Sequence, residues 1–143
     1  MLHGFGFDGT PLTIGEAGDG PVLVVFLAHW CPHCNAEIPR LLEWQQSGAM
    51  PADLKLVAVA TAVSEGAPNF PPRQWLEAKG WNLPAMIDQS QGAQSAGVAA
   101  SAYGASGWPY LVLVGDDGLV KARYAGELEV ADLQALVEAG LAG

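Results

Sequence analysis

The hydrophobic pattern of the chain alternates between unbroken apolar runs and segments with helical periodicity. Residues 22–28 (VLVVFLA) are continuously apolar and rich in β-branched side chains, which is typical of a strand buried on both faces of a sheet. Residues 54–60 (LKLVAVA) repeat this pattern. Between the two runs, residues 32–47 place their apolar side chains on one side of a helix, with Pro39 inside it. Two such strands joined by a helix are predicted to be parallel.

The rest of the chain gives shorter signals. The turn GDDG between two apolar runs requires antiparallel pairing, so the sheet is predicted to be mixed. Residues 62–71 are expected to form a surface loop. The Gly-rich residues 1–20 are expected to form a short N-terminal β-hairpin extension. The remaining predicted elements are a helix over 72–79, a short strand over 83–87, a weak helix over 91–103, strands over 110–114 and 119–124, and a helix over 130–141.

Composition supports one domain that covers residues 1–143. The chain has 143 residues, of which 50% are hydrophobic, enough for a sizeable core. Six basic residues against fifteen acidic ones give a net charge of -9, and the basic residues are scattered. A nucleic-acid partner would require them to cluster, so this class is excluded. No apolar run approaches the roughly twenty residues of a membrane span.

The candidate chemistry lies in AHWCPHCNAEIPRL, residues 28–41, which holds both cysteines of the chain. A strand that runs directly into C-P-H-C and then a helix places Cys31 at the helix N-terminus. Free backbone N–H groups and the helix dipole there favour a thiolate, and an exposed thiolate attacks disulfides. Cys34 follows one turn later on the same side. We expect it to be more buried and to act second, as the resolving thiol.

Two other uses of the cysteines are possible. A structural disulfide would close a very small loop, and such loops give little entropic stabilisation. Zinc binding usually requires four ligands, and the chain offers only His3, His29 and His33 besides the two cysteines. A copper or zinc delivery module using the CPHC cysteines and nearby histidines therefore remains the alternative. Thiol–disulfide exchange itself requires no cofactor, because the electrons reside in the sulfurs.

WCPHC after an apolar strand resembles the active site of the thioredoxin superfamily. A second matching segment is SGWPYLVLV, in which Trp108 and Pro109 lead into a strand. The resemblance implies an α/β thioredoxin fold with a mixed central sheet flanked by helices. It also implies a cis peptide bond at Pro109, which would lie against the cysteine pair. The backbone of Trp108 would then be free to pair with an extended substrate segment.

The wider pattern W-C-x-x-C-x-x-E-x-P, formed by Trp30, Cys31, Cys34, Glu37 and Pro39, resembles the TlpA-like extracytoplasmic thiol–disulfide oxidoreductases. The resemblance implies that Glu37 tunes the pKa of the cysteines. It also implies that Trp30 covers the reactive sulfur.

The chain departs from related patterns at two positions. Val25 stands where thioredoxin has a buried Asp, so Glu37 or water must handle proton transfer. The bulky Trp108 precedes the proline, where the family often has Thr or Val, and we expect it to contact substrates together with Trp30 and Pro32.

The dipeptide between the cysteines, Pro32-His33, resembles that of the strong oxidant DsbA. By that resemblance, His33 stabilises the Cys31 thiolate and makes the disulfide more oxidising. The TlpA-like pattern instead suggests a reductase, such as one serving cytochrome c maturation. The sequence therefore leaves the direction of electron flow open.

The resemblance also implies where the protein works and what it meets. We expect an extracytoplasmic location, either periplasmic, secreted or on the outer face of a membrane, with an anchor or targeting segment removed upstream of Met1. Protein thiols and disulfides are the expected substrates. A redox partner protein is expected to restore the cysteine pair, and the chain is expected to be a monomer.

Overall fold

The computed structural model describes residues 1–142. These residues form one seven-stranded sheet and four helices. In chain order the elements are β1 (Leu2–Gly6), β2 (Pro11–Ile14), β3 (Val22–Leu27), α1 (Pro32–Ser47), β4 (Lys55–Ala60), α2 (Pro72–Ala78), β5 (Ala85–Ile87), α3 (Val98–Ala102), β6 (Tyr110–Val114), β7 (Val120–Ala125) and α4 (Val130–Ala142).

The strand order across the sheet is β2-β1-β5-β4-β3-β6-β7. β3 pairs with β4 and β4 with β5 in parallel, whereas β6 runs antiparallel to both β3 and β7. Phe26 near the end of β3 faces Tyr110 at the start of β6. The segments that follow β3 and precede β6 therefore meet at one end of the sheet.

The core has a layer on each face of the sheet. Alternate residues of β3 divide between the two layers, as the period of a strand requires. Leu23, Val25 and Leu27 pack in the layer that contains residues of α1, α2 and α4, while Val24 and Phe26 pack in the layer that contains residues of α3. All six residues of β3 are buried, which confirms the predicted two-sided strand.

The mixed sheet, its flanking helices and the N-terminal hairpin confirm the predicted fold class. The hairpin is also part of the main sheet, because β1 pairs with β5 as well as with β2. Among the described residues, no helix is long and apolar enough to cross a membrane.

The helix predicted over 91–103 is wrong in extent, since α3 covers only Val98–Ala102. The preceding segment is interrupted by Gly92 and Gln94, whose φ angles are positive. Asp88 fixes the start of the short helix by accepting hydrogen bonds from the backbone N–H groups of Ala99 and Ala100. The strand predicted over 83–87 is likewise shorter, and begins only after Pro84.

Candidate active site

Cys31 is the N-cap residue of α1, four residues after the end of β3. Its φ and ψ of -82° and 121° are extended, and Pro32 begins the helix with the φ that proline already favours. The backbone N–H of Asn35 donates to the carbonyl of Cys31 and closes the first helical turn. Cys31 therefore lies at the positive end of a 16-residue helix, as the sequence predicted.

The Cys31 thiol faces the segment before β6. Its Sγ lies 3.5 Å from the carbonyl oxygen of Trp108, to which the thiol donates. The Trp108-Pro109 peptide bond is cis, as the sequence predicted. The expectation that Cys31 is exposed is wrong: only 5% of its surface is accessible, because this segment packs against it. A substrate sulfur therefore has only a small part of Cys31 to approach.

Cys34 lies behind Cys31 and is fully buried. The backbone N–H of Ala28 donates to its Sγ across 3.4 Å. Burial raises the pKa of the Cys34 thiol, and the neighbouring Cys31 sulfur and Glu37 raise it further. Both cysteines carry free thiols in this structure. The burial order matches the predicted one, with the second cysteine deeper than the first.

Glu37 is a buried carboxyl one helical turn beyond Cys34. Its Oε2 accepts a hydrogen bond of 2.8 Å from the backbone N–H of Leu128. Its Oε1 has no hydrogen-bond partner within residues 1–142. Burial raises the pKa of Glu37 to about 7, although the Leu128 N–H and the charge of Arg40 both lower it. Glu37 is therefore a buried carboxyl of α1 that has lost its contact with water.

His33 points away from the protein core and pairs with Glu127. Its Nδ1 lies 2.5 Å from Glu127 Oε2, and 69% of its side chain is exposed. Glu127 Oε1 also accepts a hydrogen bond of 2.6 Å from Arg40 Nη1. The hydrogen bond with His33 lowers the pKa of Glu127, and that with Arg40 lowers it further. The role of His33 at the Cys31 thiolate stays a prediction, since the contact of His33 seen here is with Glu127.

Trp30 and Pro32, the predicted substrate-contacting residues beside the cysteines, flank Cys31. Pro32 is exposed. Trp30 is half-buried, and its Nε1 donates a hydrogen bond of 2.8 Å to the carbonyl of Ala62. Trp108 is also half-buried, and its carbonyl contacts the Cys31 sulfur. The structure thus brings all three residues to the same end of the sheet as Cys31.

His29 connects the end of β3 to the loop 62–71. Its ring is buried, and its Nδ1 donates to the carbonyl of Pro68 across 2.7 Å. Its Nε2 accepts from the backbone N–H of Ser64. A carbonyl only accepts and an amide only donates, so the ring is the neutral Nδ1–H tautomer. Residues 62–71 are a surface loop, as predicted, and His29 ties this loop down beside the site.

The described residues offer few ligands for the alternative function of copper or zinc delivery. Across residues 1–142, no group of three or more His, Cys, Asp or Glu side chains could hold a metal ion. Both ring nitrogens of His29 are engaged with the loop, and Nδ1 of His33 faces Glu127. The two sulfurs remain as the available soft ligands, short of the four that zinc prefers.

Comparison with known families gives one match over most of the chain. The Redoxin family model matches residues 2–137. This range contains both cysteines, Glu37, Pro109 and Glu127, so the match includes the whole site described above.

Solved structures with the same fold cover nearly the whole chain. A thiol:disulfide interchange protein of the thioredoxin family from Chlorobium tepidum is 26% identical, with 96% of this chain and 90% of that chain covered and a TM-score of 0.70. A secreted Mycobacterium tuberculosis disulfide oxidoreductase homologous to Escherichia coli DsbE is 21% identical, with coverage of 96% and 95% and a TM-score of 0.73. StoA from Bacillus subtilis is 19% identical, with 94% of each chain covered and a TM-score of 0.72.

Proposed function

This chain belongs to the Redoxin family, and we propose that it is a thiol–disulfide oxidoreductase that exchanges a Cys31–Cys34 dithiol for a disulfide. One observation carries the proposal: the Cys31 sulfur lies at a helix N-terminus and against the Trp108 carbonyl, and Cys31, at 5% exposure, is the less buried of the two cysteines, with Cys34 fully buried behind it. A helix N-terminus stabilises the attacking thiolate, and the buried second thiol cannot react with a large substrate first.

The reaction proceeds by two exchanges. The Cys31 thiolate attacks one sulfur of a substrate disulfide, a mixed disulfide forms, and the other substrate sulfur leaves as a thiolate. The Cys34 thiolate then attacks Cys31, the mixed disulfide breaks, and the second substrate sulfur leaves. Two electrons pass from the protein to the substrate, and the protein retains a Cys31–Cys34 disulfide. A substrate thiol runs the same steps in reverse.

Glu37 supplies the proton acceptor that the second step requires. Because Cys34 is buried, its thiol resists losing a proton, and a base is needed at the moment of attack. Glu37 lies one helical turn beyond Cys34 on α1. Its pKa of about 7 lies between the usual pKa of a carboxyl and that of a thiol. Its Oε1 has no hydrogen-bond partner among residues 1–142, which leaves one oxygen available for that proton.

Reduction of substrates is the direction that the site supports. A strong oxidant needs extra stabilisation of its reduced, thiolate form. His33 would supply it as a cation beside Cys31, but its Nδ1 is paired with the carboxylate of Glu127, which offsets that charge.

The substrates we propose are disulfides of extracytoplasmic proteins, in a compartment where disulfides persist. Two of the similar structures support this, since one is a secreted disulfide oxidoreductase and the other a thiol:disulfide interchange protein. A reductase in that compartment depends on a redox partner protein that returns electrons to the Cys31–Cys34 disulfide.

The test is the reduction potential of the cysteine pair, measured by equilibration in thiol buffers of known potential and trapping of the free thiols. We expect a two-electron titration with a midpoint near or below about -250 mV. A midpoint between about -120 and -180 mV would reverse the proposed direction. A pair that does not titrate reversibly would exclude the oxidoreductase itself.

A further inference from the structure

A row of charged side chains connects the segment between the cysteines to the buried carboxyl of Glu37. Glu127, in the connection between β7 and α4, contacts His33 with one oxygen and Arg40 with the other, at 2.5 and 2.6 Å. Arg40 Nη1 then lies 3.6 Å from Glu37 Oε2. On the outer side, Arg40 Nη2 lies 3.4 Å from the exposed Glu129.

The distances show which carboxylate holds Arg40. Arg40 makes a charge-assisted hydrogen bond with Glu127, whereas its 3.6 Å separation from Glu37 exceeds the usual hydrogen-bond range. Glu37 is fully buried, and within the described chain its Oε1 is without a hydrogen-bond partner. A buried carboxylate with one unpaired oxygen and a distant cation is poorly compensated.

We propose that Glu127 is a positioning residue of the active site: by holding Arg40 and His33, it keeps Glu37 incompletely paired and therefore available as a proton acceptor. This inference rests on the proposed function, since it concerns the proton of the second exchange step. Without the Glu127 carboxylate, Arg40 has Glu37 as its inward partner and closes on it. A fully paired Glu37 is a weaker proton acceptor.

The charges around Glu37 also change its pKa in the direction that this geometry predicts. The titratable and charged groups that face it are Arg40 and Cys34 on its own helix and Glu127 on the β7–α4 connection. The charge of Arg40 lowers the pKa of Glu37, and that of Glu127 raises it. Loss of the Glu127 charge and approach of Arg40 would therefore both make Glu37 more acidic.

The experiment is a pH titration of Glu37 in the reduced protein, followed by the ¹³C shift of its side-chain carboxyl and assigned with Glu37→Gln. The wild-type midpoint should be about 7. In Glu127→Gln it should fall by roughly one pH unit, the scale on which a neighbouring charge acts on a carboxyl. Glu129→Gln is the matched control, because it also loses a carboxylate beside Arg40 but one that contacts neither His33 nor Glu37 in the described structure.

An unchanged or higher midpoint in Glu127→Gln would overturn the inference, as would an equal fall in Glu129→Gln. Glu127→Asp provides a second variant if the glutamine form is unstable. It keeps the charge but is one methylene shorter, so it cannot reach both partners, and its midpoint should lie between those of the wild type and Glu127→Gln. A midpoint equal to the wild-type value would show that the bridging contact has no effect.

A kinetic readout separates this inference from the proposed function. The pH midpoint for release of the mixed disulfide by Cys34 should fall in Glu127→Gln by the same amount as the Glu37 titration. If wild-type protein does not turn over a disulfide, the proposed function fails, while the carboxyl titration still decides the role of Glu127. If wild type turns over and both midpoints stay in place, only the role of Glu127 is wrong.

Discussion

Replacing Glu37 with glutamine removes a buried charge and should change how stability depends on pH. Burial raises the pKa of this carboxyl from 4.5 to about 7. The folded protein therefore binds the Glu37 proton more tightly than the unfolded chain does, and stability falls as the pH rises through this window. The gap between 4.5 and about 7, at about 1.4 kcal/mol per pH unit, corresponds to a loss of about 3 kcal/mol.

The assay is urea unfolding of the reduced wild type and Glu37→Gln between about pH 4.5 and 8, a range that spans both pKa values of the carboxyl. The difference in unfolding free energy between the two proteins should shift by about 3 kcal/mol in favour of the variant as the pH rises. Glutamine keeps an acceptor for the Leu128 N–H, and contributions from other titrating groups cancel in the difference. Glu43→Gln, at an exposed position of the same helix, is the control and should follow the wild type. Parallel curves for wild type and Glu37→Gln would refute the argument that the Glu37 charge is poorly compensated.

Three further predictions test other parts of the structure. Cys34→Ala should trap a stable mixed disulfide with a substrate at Cys31, detected by mass spectrometry, whereas Cys31→Ala should trap none; the reverse pattern would exchange their roles. Trp30→Phe loses the Nε1 hydrogen bond to Ala62 and should lower the free energy of unfolding, measured in urea, by about 1 kcal/mol. An unchanged free energy would show that water replaces this hydrogen bond. Asp88→Asn weakens hydrogen bonds with three donors and should cost about 2 kcal/mol in the same assay, and a neutral result would show that the amide satisfies them equally well.

The sequence predicted those features that depend on residues close together in the chain. The unbroken apolar run before C-P-H-C predicts the buried strand β3 and the helix that follows it, and the structure has both. The GDDG turn predicts the antiparallel pair of β6 and β7. The cis bond at Pro109 followed from the family resemblance, because one short motif identifies it.

Contacts between distant segments could not be predicted in the same way. His33 and Glu127 are 94 residues apart, and Glu37 and the Leu128 N–H are 91 apart, so no local pattern relates them. The burial of Glu37 depends on how the β7–α4 connection packs over α1, which helical periodicity alone does not reveal. The failed helix over 91–97 has a similar cause, since the tertiary contacts of Asp88 set where α3 begins.

The position of β3 and β6 within the sheet determines which fluctuations reach the reactive sulfur. Both strands have hydrogen-bonded neighbours on each side, whereas β2 and β7 are the edges. Native proteins open locally from such edges, and their central strands exchange amide hydrogens only on global unfolding. Cys31 follows one central strand and Pro109 precedes the other, so fraying of the hairpin or of β7 leaves their relative placement intact. The amides of residues 22–27 and 110–114 should therefore be among the slowest in the protein to exchange with deuterium.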